Sequence, residues 1–196
     1  TEISRGRART TVTDSFGGTL GNWTSIAGAW TISSGQLHQT GSAPAFSWFK
    51  HNTPLSGTNH YAQIYRAANN NIGTLIRAPS GSTIQGYVAC PYDTGGLFLY
   101  KWSSTSSYTN LGNTTTATGT VKTDANGTTI TGSVSTYSVA VTDSTYSSGL
   151  YHGCFGNDSQ NDVADNYEAS DGIVPANPKS PFGGIMLDGP FRRNVF

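Results

Sequence analysis

From residue 11 to residue 171 the chain is a series of short β-branched or aromatic runs, each closed by Gly, Asn, Ser or Pro before it reaches helical length. Thirteen such runs are predicted as strands, over 11–16, 30–33, 36–39, 45–50, 61–67, 72–78, 86–91, 96–102, 119–124, 128–134, 137–142, 149–155 and 164–170. Residues 103–118 read as a loop with one short strand, anchored by Tyr108 and Leu111. Composition points the same way. Only two glutamates (Glu2 and Glu168) and one methionine are present against 24 Gly, 23 Ser and 27 Thr, so good helix formers are scarce and a helical bundle is excluded. Ser33-Ser34-Gly35 and Asp124-Ala125-Asn126-Gly127 carry the residues that tight hairpins need for positive φ. Inward positions at every second residue are expected at Trp30/Ile32, Tyr61/Gln63/Tyr65, Leu75/Arg77, Val88/Cys90 and Leu97/Leu99.

The formal net charge is zero, but unevenly spread: residues 1–10 carry +2, residues 11–171 carry −4 and residues 172–196 carry +2. This divides the chain into a basic N-terminal arm (1–10), a β-sandwich body (11–171) and an extended Gly/Pro-rich C-terminal tail (172–196). The tail holds four of the eight prolines, which deny it a regular helix or central strand, yet it is rich in apolar groups that must be covered by something. An acidic, hydroxyl-rich body argues against nucleic acid as a partner. No run of about 18 apolar residues suggests a membrane span, and TEISRGRART lacks the apolar core of a signal peptide. A chain that starts there after a removed Met is expected to be made in a cytoplasm and not exported by that route.

Asp14-Ser15-Phe16, Leu20-Gly21-Asn22-Trp23-Thr24 and the run from Gly28 to Leu37 together resemble the opening of concanavalin A-like jelly-roll domains. Tyr146-Ser147-Ser148-Gly149-Leu150-Tyr151-His152-Gly153 and Asp165-Asn166-Tyr167-Glu168-Ala169 are similar to the closing segments of small bacterial and phage members, and Gly73–Ala78 with Gly86–Ala89 to the middle. The resemblance covers about residues 12–170. It implies an all-β fold, a two-sheet antiparallel jelly-roll sandwich with extended N- and C-terminal arms, and Phe16 and Tyr167 on strands near the joined chain ends.

Glucanases of that family use closely spaced Glu, Asp and Glu on one strand. No such set occurs here, and there is no G-x-S-x-G elbow, so a non-enzymatic role is expected, without cofactor. His38, His51, His60 and His152 lack metal-ligand spacing and read as strand or loop residues. Asn157-Asp158 with Asn161-Asp162 could gather oxygen ligands for calcium, but lack the ordered spacing of a dedicated loop, so no metal is assigned. Cys90 and Cys154 are either buried thiols or a bridge between neighbouring strands. Tyr65, Arg77, Tyr87, Tyr100 and Trp102 are the candidates for carbohydrate binding, as aromatic faces and polar groups in mid-sandwich, with core filling as the simpler reading. Arg5, Arg7 and Arg9 alternate with small residues, so an extended arm would present all three guanidiniums on one side. With Phe182, Phe191, Arg192, Arg193 and Phe196 of the tail they form the candidate docking set. The resulting expectation is a structural protein of a tailed-bacteriophage virion, assembled in the host cytoplasm. It would be a capsid decoration or minor tail protein whose arms lace an outward lectin-like jelly roll to other virion subunits, in a homo-oligomer or multi-copy array. The alternative is a carbohydrate-binding module for a host surface glycan.

Overall fold

A computed structural model describes residues 9–40, 46–66, 71–92, 95–115, 117–157 and 163–172. Fifteen strands and no helix occur among them: β1 (Thr11–Asp14), β2 (Trp23–Ala27), β3 (Trp30–Ser33), β4 (Gln36–Gln39), β5 (Phe46–His51), β6 (His60–Arg66), β7 (Ile72–Ala78), β8 (Gly86–Tyr92), β9 (Gly96–Trp102), β10 (Tyr108–Thr114), β11 (Gly119–Asn126), β12 (Thr129–Val134), β13 (Tyr137–Thr142), β14 (Tyr151–Asn157) and β15 (Val163–Asp171). They form two antiparallel sheets. One runs β13-β12-β11-β6-β15-β4-β3, with β1 pairing the end of β15; the other runs β10-β9-β8-β7-β14-β5-β2. Sheets packed face to face make a jelly-roll sandwich whose first and last described strands lie side by side, Thr11 opposite Ser170 and Asp14 opposite Tyr167.

One strand exceeds the sequence reading: β2 was concealed by its polar, half-exposed pattern. The short strand expected within residues 103–118 is β10, which pairs with β9 through a bulge between Asn110 and Gly112. The Ser34-Gly35 hairpin is as expected, with φ of 54° and 75°. The second hairpin turns later than expected: β11 continues to Asn126, which pairs with Thr129, so the turn is Gly127-Thr128.

Between the sheets lies the main core. Trp23 stacks on Phe49 (4.8 Å, 9°) and meets Tyr167 edge-on (4.8 Å), with Phe16, Leu37, Ile64, Ile76, Leu97, Leu99, Val121 and Ile130 buried around them. A hydroxyl clasp joins the layers: Thr123 Oγ1 accepts from the Ala89 amide (2.9 Å) and lies 2.8 Å from the Thr74 carbonyl. On β6 the inward set is His60, Ala62 and Ile64, not Tyr61, Gln63 and Tyr65, which stand on the outer face. The run alternates either way, and only the pairing with β11 and β15 selects the face.

The seven-stranded sheet is apolar on its other face as well. Trp48, Leu75, Val88, Cys90, Tyr100, Trp102 and Phe155 form a second core there, so Leu75, Val88 and Cys90 point away from the space between the sheets. Trp102 on β9 lies four strands from Trp48 on β5, a span of ~19 Å along a flat sheet. Their rings nonetheless meet at 4.7 Å, and Phe46 meets Trp102 at 4.7 Å. The sheet therefore curls, and the large side chains converge over small residues of the central strands, including Gly73, Ala78, Val88 and Gly153. Two of these floor glycines have no room for a side chain: a methyl at Gly153 would collide with the Phe49 carbonyl oxygen, and one at Gly73 with that of Ala89. Gly153→Ala or Gly73→Ala is expected to cost at least about 2 kcal/mol in denaturant unfolding, whereas Gly18→Ala, with nothing within 4 Å of the added methyl, should change stability by less than about 0.5 kcal/mol.

Candidate functional site

The five carbohydrate candidates are not brought to one surface. Tyr65 is 47% exposed on the eight-stranded sheet, whereas Tyr100 and Trp102 belong to the second core on the opposite side of the molecule. Tyr87 faces inward, its hydroxyl donating to Asp143 Oδ1 (2.6 Å) and accepting from the Tyr146 amide (3.2 Å). Lys101 Nζ closes the same network on Asp143 Oδ2 at 2.7 Å. Partial burial pushes the Asp143 carboxyl up, but the hydrogen bonds from Lys101, Tyr87 and Thr145 outweigh it and hold the group well below the ordinary carboxylate range. Burial, reinforced by this acceptor, pushes Tyr87 up to about 12. Tyr87 thus works as a strut that positions residues 143–146.

Arg77 is buried at a positive φ of 53° where β7 ends. Its Nε donates to the Thr58 carbonyl (3.1 Å) and Nη2 to that of Gly127 (2.6 Å), so it ties together two loops at one end of the sandwich. Its amide donates to His60 Nε2 (3.1 Å), while His60 Nδ1 lies 2.9 Å from the Gly57 carbonyl. This arrangement requires the neutral Nδ1–H tautomer. Of the docking set only Arg9 is among the described residues; it is exposed beside Gly172. Arg5, Arg7, Phe182, Phe191, Arg192, Arg193 and Phe196 lie outside them, as do residues 158–162 of the calcium reading. Among the described residues no three His, Cys, Asp or Glu side chains gather as a metal site. Cys90 and Cys154 are buried on opposite faces of the seven-stranded sheet, with β7 between their strands, which removes a bridge between the two.

What the fold does bring together is the loop end around Tyr151. One cleft of ≈510 Å³ is lined by residues 77–80, Gln85, Thr145, Tyr146 and residues 148–151; a second of ≈370 Å³ is lined by Thr24, Ile26, Lys50, His51, Asn52, Gly81, Ser82 and Tyr151. Half-buried Tyr151 is common to both. The wall is held from two sides: Lys50 Nζ stands 5.2 Å over the Tyr151 ring and donates to the carbonyls of Pro79 and Gly81, fixing the loop between β7 and β8. The Tyr87–Asp143 strut sets the facing loop, where Tyr146 packs on Tyr87 at 5.5 Å. Sequence reading passed over Tyr151, Tyr146, Lys50, Asn52 and Gln85 as site residues. The available signal was the Tyr146–Tyr151 segment, whose two aromatics flank Ser-Ser-Gly, but only tertiary contact sets it against Lys50.

A third hollow of ≈460 Å³ is lined by both Asp14 and Glu168. The register puts Asp14 beside inward-facing Tyr167 and Glu168 beside Thr13 on the outer face. Both carboxylates are also engaged, Asp14 by the Phe16 amide (2.7 Å) and Trp23 Nε1 (2.7 Å), Glu168 by the Tyr61 hydroxyl. Two carboxylates on opposite faces of a sheet do not converge on one glycosidic bond.

Three histidines that sequence spacing left scattered are gathered in the interior. His51 stacks on His152 (5.3 Å), and His152 Nδ1 lies 2.6 Å from the Tyr167 hydroxyl. Burial, aided by its histidine neighbours, lowers His152 to about 3, and burial lowers His60 to about 4. Both are bases with folded pKa values below the unfolded value of about 6.5, so the unfolded chain binds more protons throughout that interval. Stability is full above pH 6.5 and falls as pH drops toward 4, His60 alone accounting for about 3 kcal/mol across that window. His60→Gln, which keeps a donor and an acceptor without a titrating group, should make this acid limb shallower in denaturant melts recorded from pH 7 to 4, leaving the share that His152 contributes.

No family model and no curated protein sequence matches the chain. Solved structures do. Carbohydrate-binding module CBM66 from Bacillus subtilis superimposes with a TM-score of 0.56 at 16% identity, covering 74% of this chain and 91% of that one. The CBM2 module of the evolved Dit of Lactobacillus casei BL23 phage J-1 gives 0.53 at 11% identity, covering 83% and 96%. A prokaryotic beta-1,3-1,4-glucanase (lichenase) derived from a mouse hindgut metagenome gives 0.53 at 10% identity, covering 84% and 100%. At these identities the likeness defines the fold: a concanavalin A-like jelly roll, an architecture found both in carbohydrate-binding modules and in a glucanase.

Proposed function

We propose that the body is a non-catalytic glycan-binding module of a tailed-bacteriophage virion protein, taking a host surface glycan at the loop end around Tyr151. One observation carries the glycan reading: a half-buried aromatic ring forms the wall between two clefts whose other walls are rich in hydroxyl, amide and backbone groups. A pyranose offers an apolar face to a ring and a belt of hydroxyls to such groups, and both clefts have the volume of a small-ligand site. The filled outer face of the curled sheet supports the same choice, since Trp48, Trp102 and Phe155 are fully buried there and have no ring face to offer. A binding rather than hydrolytic role is supported by Asp14 and Glu168 lying on opposite sheet faces. Placement on a virion is supported by the fold in common with the phage J-1 module and by the low-charge, hydroxyl-rich composition. In this reading the terminal arms dock the module to capsid or tail subunits.

Glycan-array screening followed by NMR titration tests it. Tyr151→Ala should weaken binding at least about tenfold while leaving the melting temperature within a few degrees, and Tyr65→Ala, on the other sheet, should leave binding unchanged. Absence of binding to any glycan, or release of reducing ends from a polysaccharide, would sink the proposal. Proteomics of purified phage particles from the encoding strain tests the placement: absence of the chain from the particle overturns it.

A further inference from the structure

We propose that the smaller cleft reads an acidic sugar, with a hexuronate carboxylate on Lys50 Nζ and the sugar ring against Tyr151. This rests on the glycan-binding reading of the Tyr151 clefts and adds the class of glycan. Lys50 is 4% exposed although its strand position points away from the space between the sheets. Lysines are seldom buried this far without an anionic partner. Here the ammonium is met by two carbonyls, of Pro79 and Gly81, and by the face of Tyr151, and among the described residues no carboxylate pairs with it. Burial lowers its pKa, with no charged neighbour contributing.

The cation is therefore solvated but not neutralised, in the wall of a cleft of ≈370 Å³ that also presents Thr24, Asn52 and Ser82. A neutral sugar would need only the ring, hydroxyls and amide. A carboxylate would add a charge-assisted hydrogen bond in a partly desolvated place, where such bonds are strongest. The only other basic side chain among the cleft residues is His51, whose pKa burial lowers, so the cleft offers one cation, which suits a monoanionic carboxylate better than a dianionic phosphate. The body carries −4, so general attraction of polyanions is not available, and selection of an acidic glycan has to be local.

The test is a paired NMR titration of the full chain with a galacturonate oligosaccharide and a neutral galactose oligosaccharide of equal length, with acetate and inorganic phosphate as further probes. The expected result is at least about tenfold tighter binding of the uronate, weakening between ~50 and ~500 mM NaCl as a charge contact should, while neutral binding holds. Lys50→Met should abolish the preference and Lys50→Arg should retain it. If Lys50→Met fails to fold, the salt dependence of the wild-type uronate titration decides. Equal affinity for the two oligosaccharides overturns the acidic-sugar assignment and leaves the glycan-binding reading standing; binding of neither overturns both. Phosphate bound at Lys50 more tightly than the uronate also overturns the assignment.

Discussion

The structure depends on burying both faces of the seven-stranded sheet. An ordinary sandwich dries only the surfaces between its layers, but here Trp48, Trp102 and Phe155 are fully buried on the far side as well. That is possible because the sheet curls until side chains from β5 and β9 meet over central strands kept small at Gly73, Ala78, Val88 and Gly153. Curvature and small floor residues require each other: bulk at the centre would hold the edges apart, and a flat sheet would leave the tryptophans in water. The consequence for function is direct. A groove filled by the protein's own rings is closed to a ligand, which is why the proposed glycan site lies at the rim, where the strands end.

At that rim, order is imposed by polar groups with little freedom to do anything else. Arg77 holds carbonyls of two loops, its amide closes on His60, and the Tyr87–Asp143–Lys101 network fixes the loop that carries Tyr146. Each element satisfies a buried polar atom and at the same time orients a cleft wall, which is how a loop acquires the rigidity of the scaffold beneath it. His60 comes with the same economy: its neutral ring donates on one side and accepts on the other, linking two segments, provided it carries no proton beyond the one it needs.

The architecture is found in carbohydrate-binding modules and in a glucanase, so fold alone leaves binding and hydrolysis open. The distinction lies in a few side chains. The pairing of β1 with β15 sends Asp14 inward and Glu168 outward, while the loop end collects an aromatic wall, a cation and uncharged donors. The first arrangement sets the two carboxylates on opposite faces of the sheet; the second offers the ring, cation and donors on which the proposed binding role rests.

Much of the scaffold was legible in the chain itself. Runs of strand length, the scarcity of helix formers, the Ser34-Gly35 turn and the aromatic and glycine positions near both ends determine an all-β sandwich, because backbone propensity and turn chemistry are local properties. β2 escaped because a half-exposed edge strand has little alternation to read. The site was barely legible. Tyr65, Arg77, Tyr87, Tyr100 and Trp102 have the right chemistry, but a period of two names two faces without saying which is inside, and β6 is the case in point. Tyr151 and Lys50 are a hundred residues apart and meet only because β14 pairs with β5 and the loop after β7 folds back over both. What the amino-acid sequence determined by itself was the kind of element and its punctuation; which face each strand turned inward, and which distant side chains met at the rim, was decided by sheet pairing and curvature, since those depend on contacts between residues far apart in the chain.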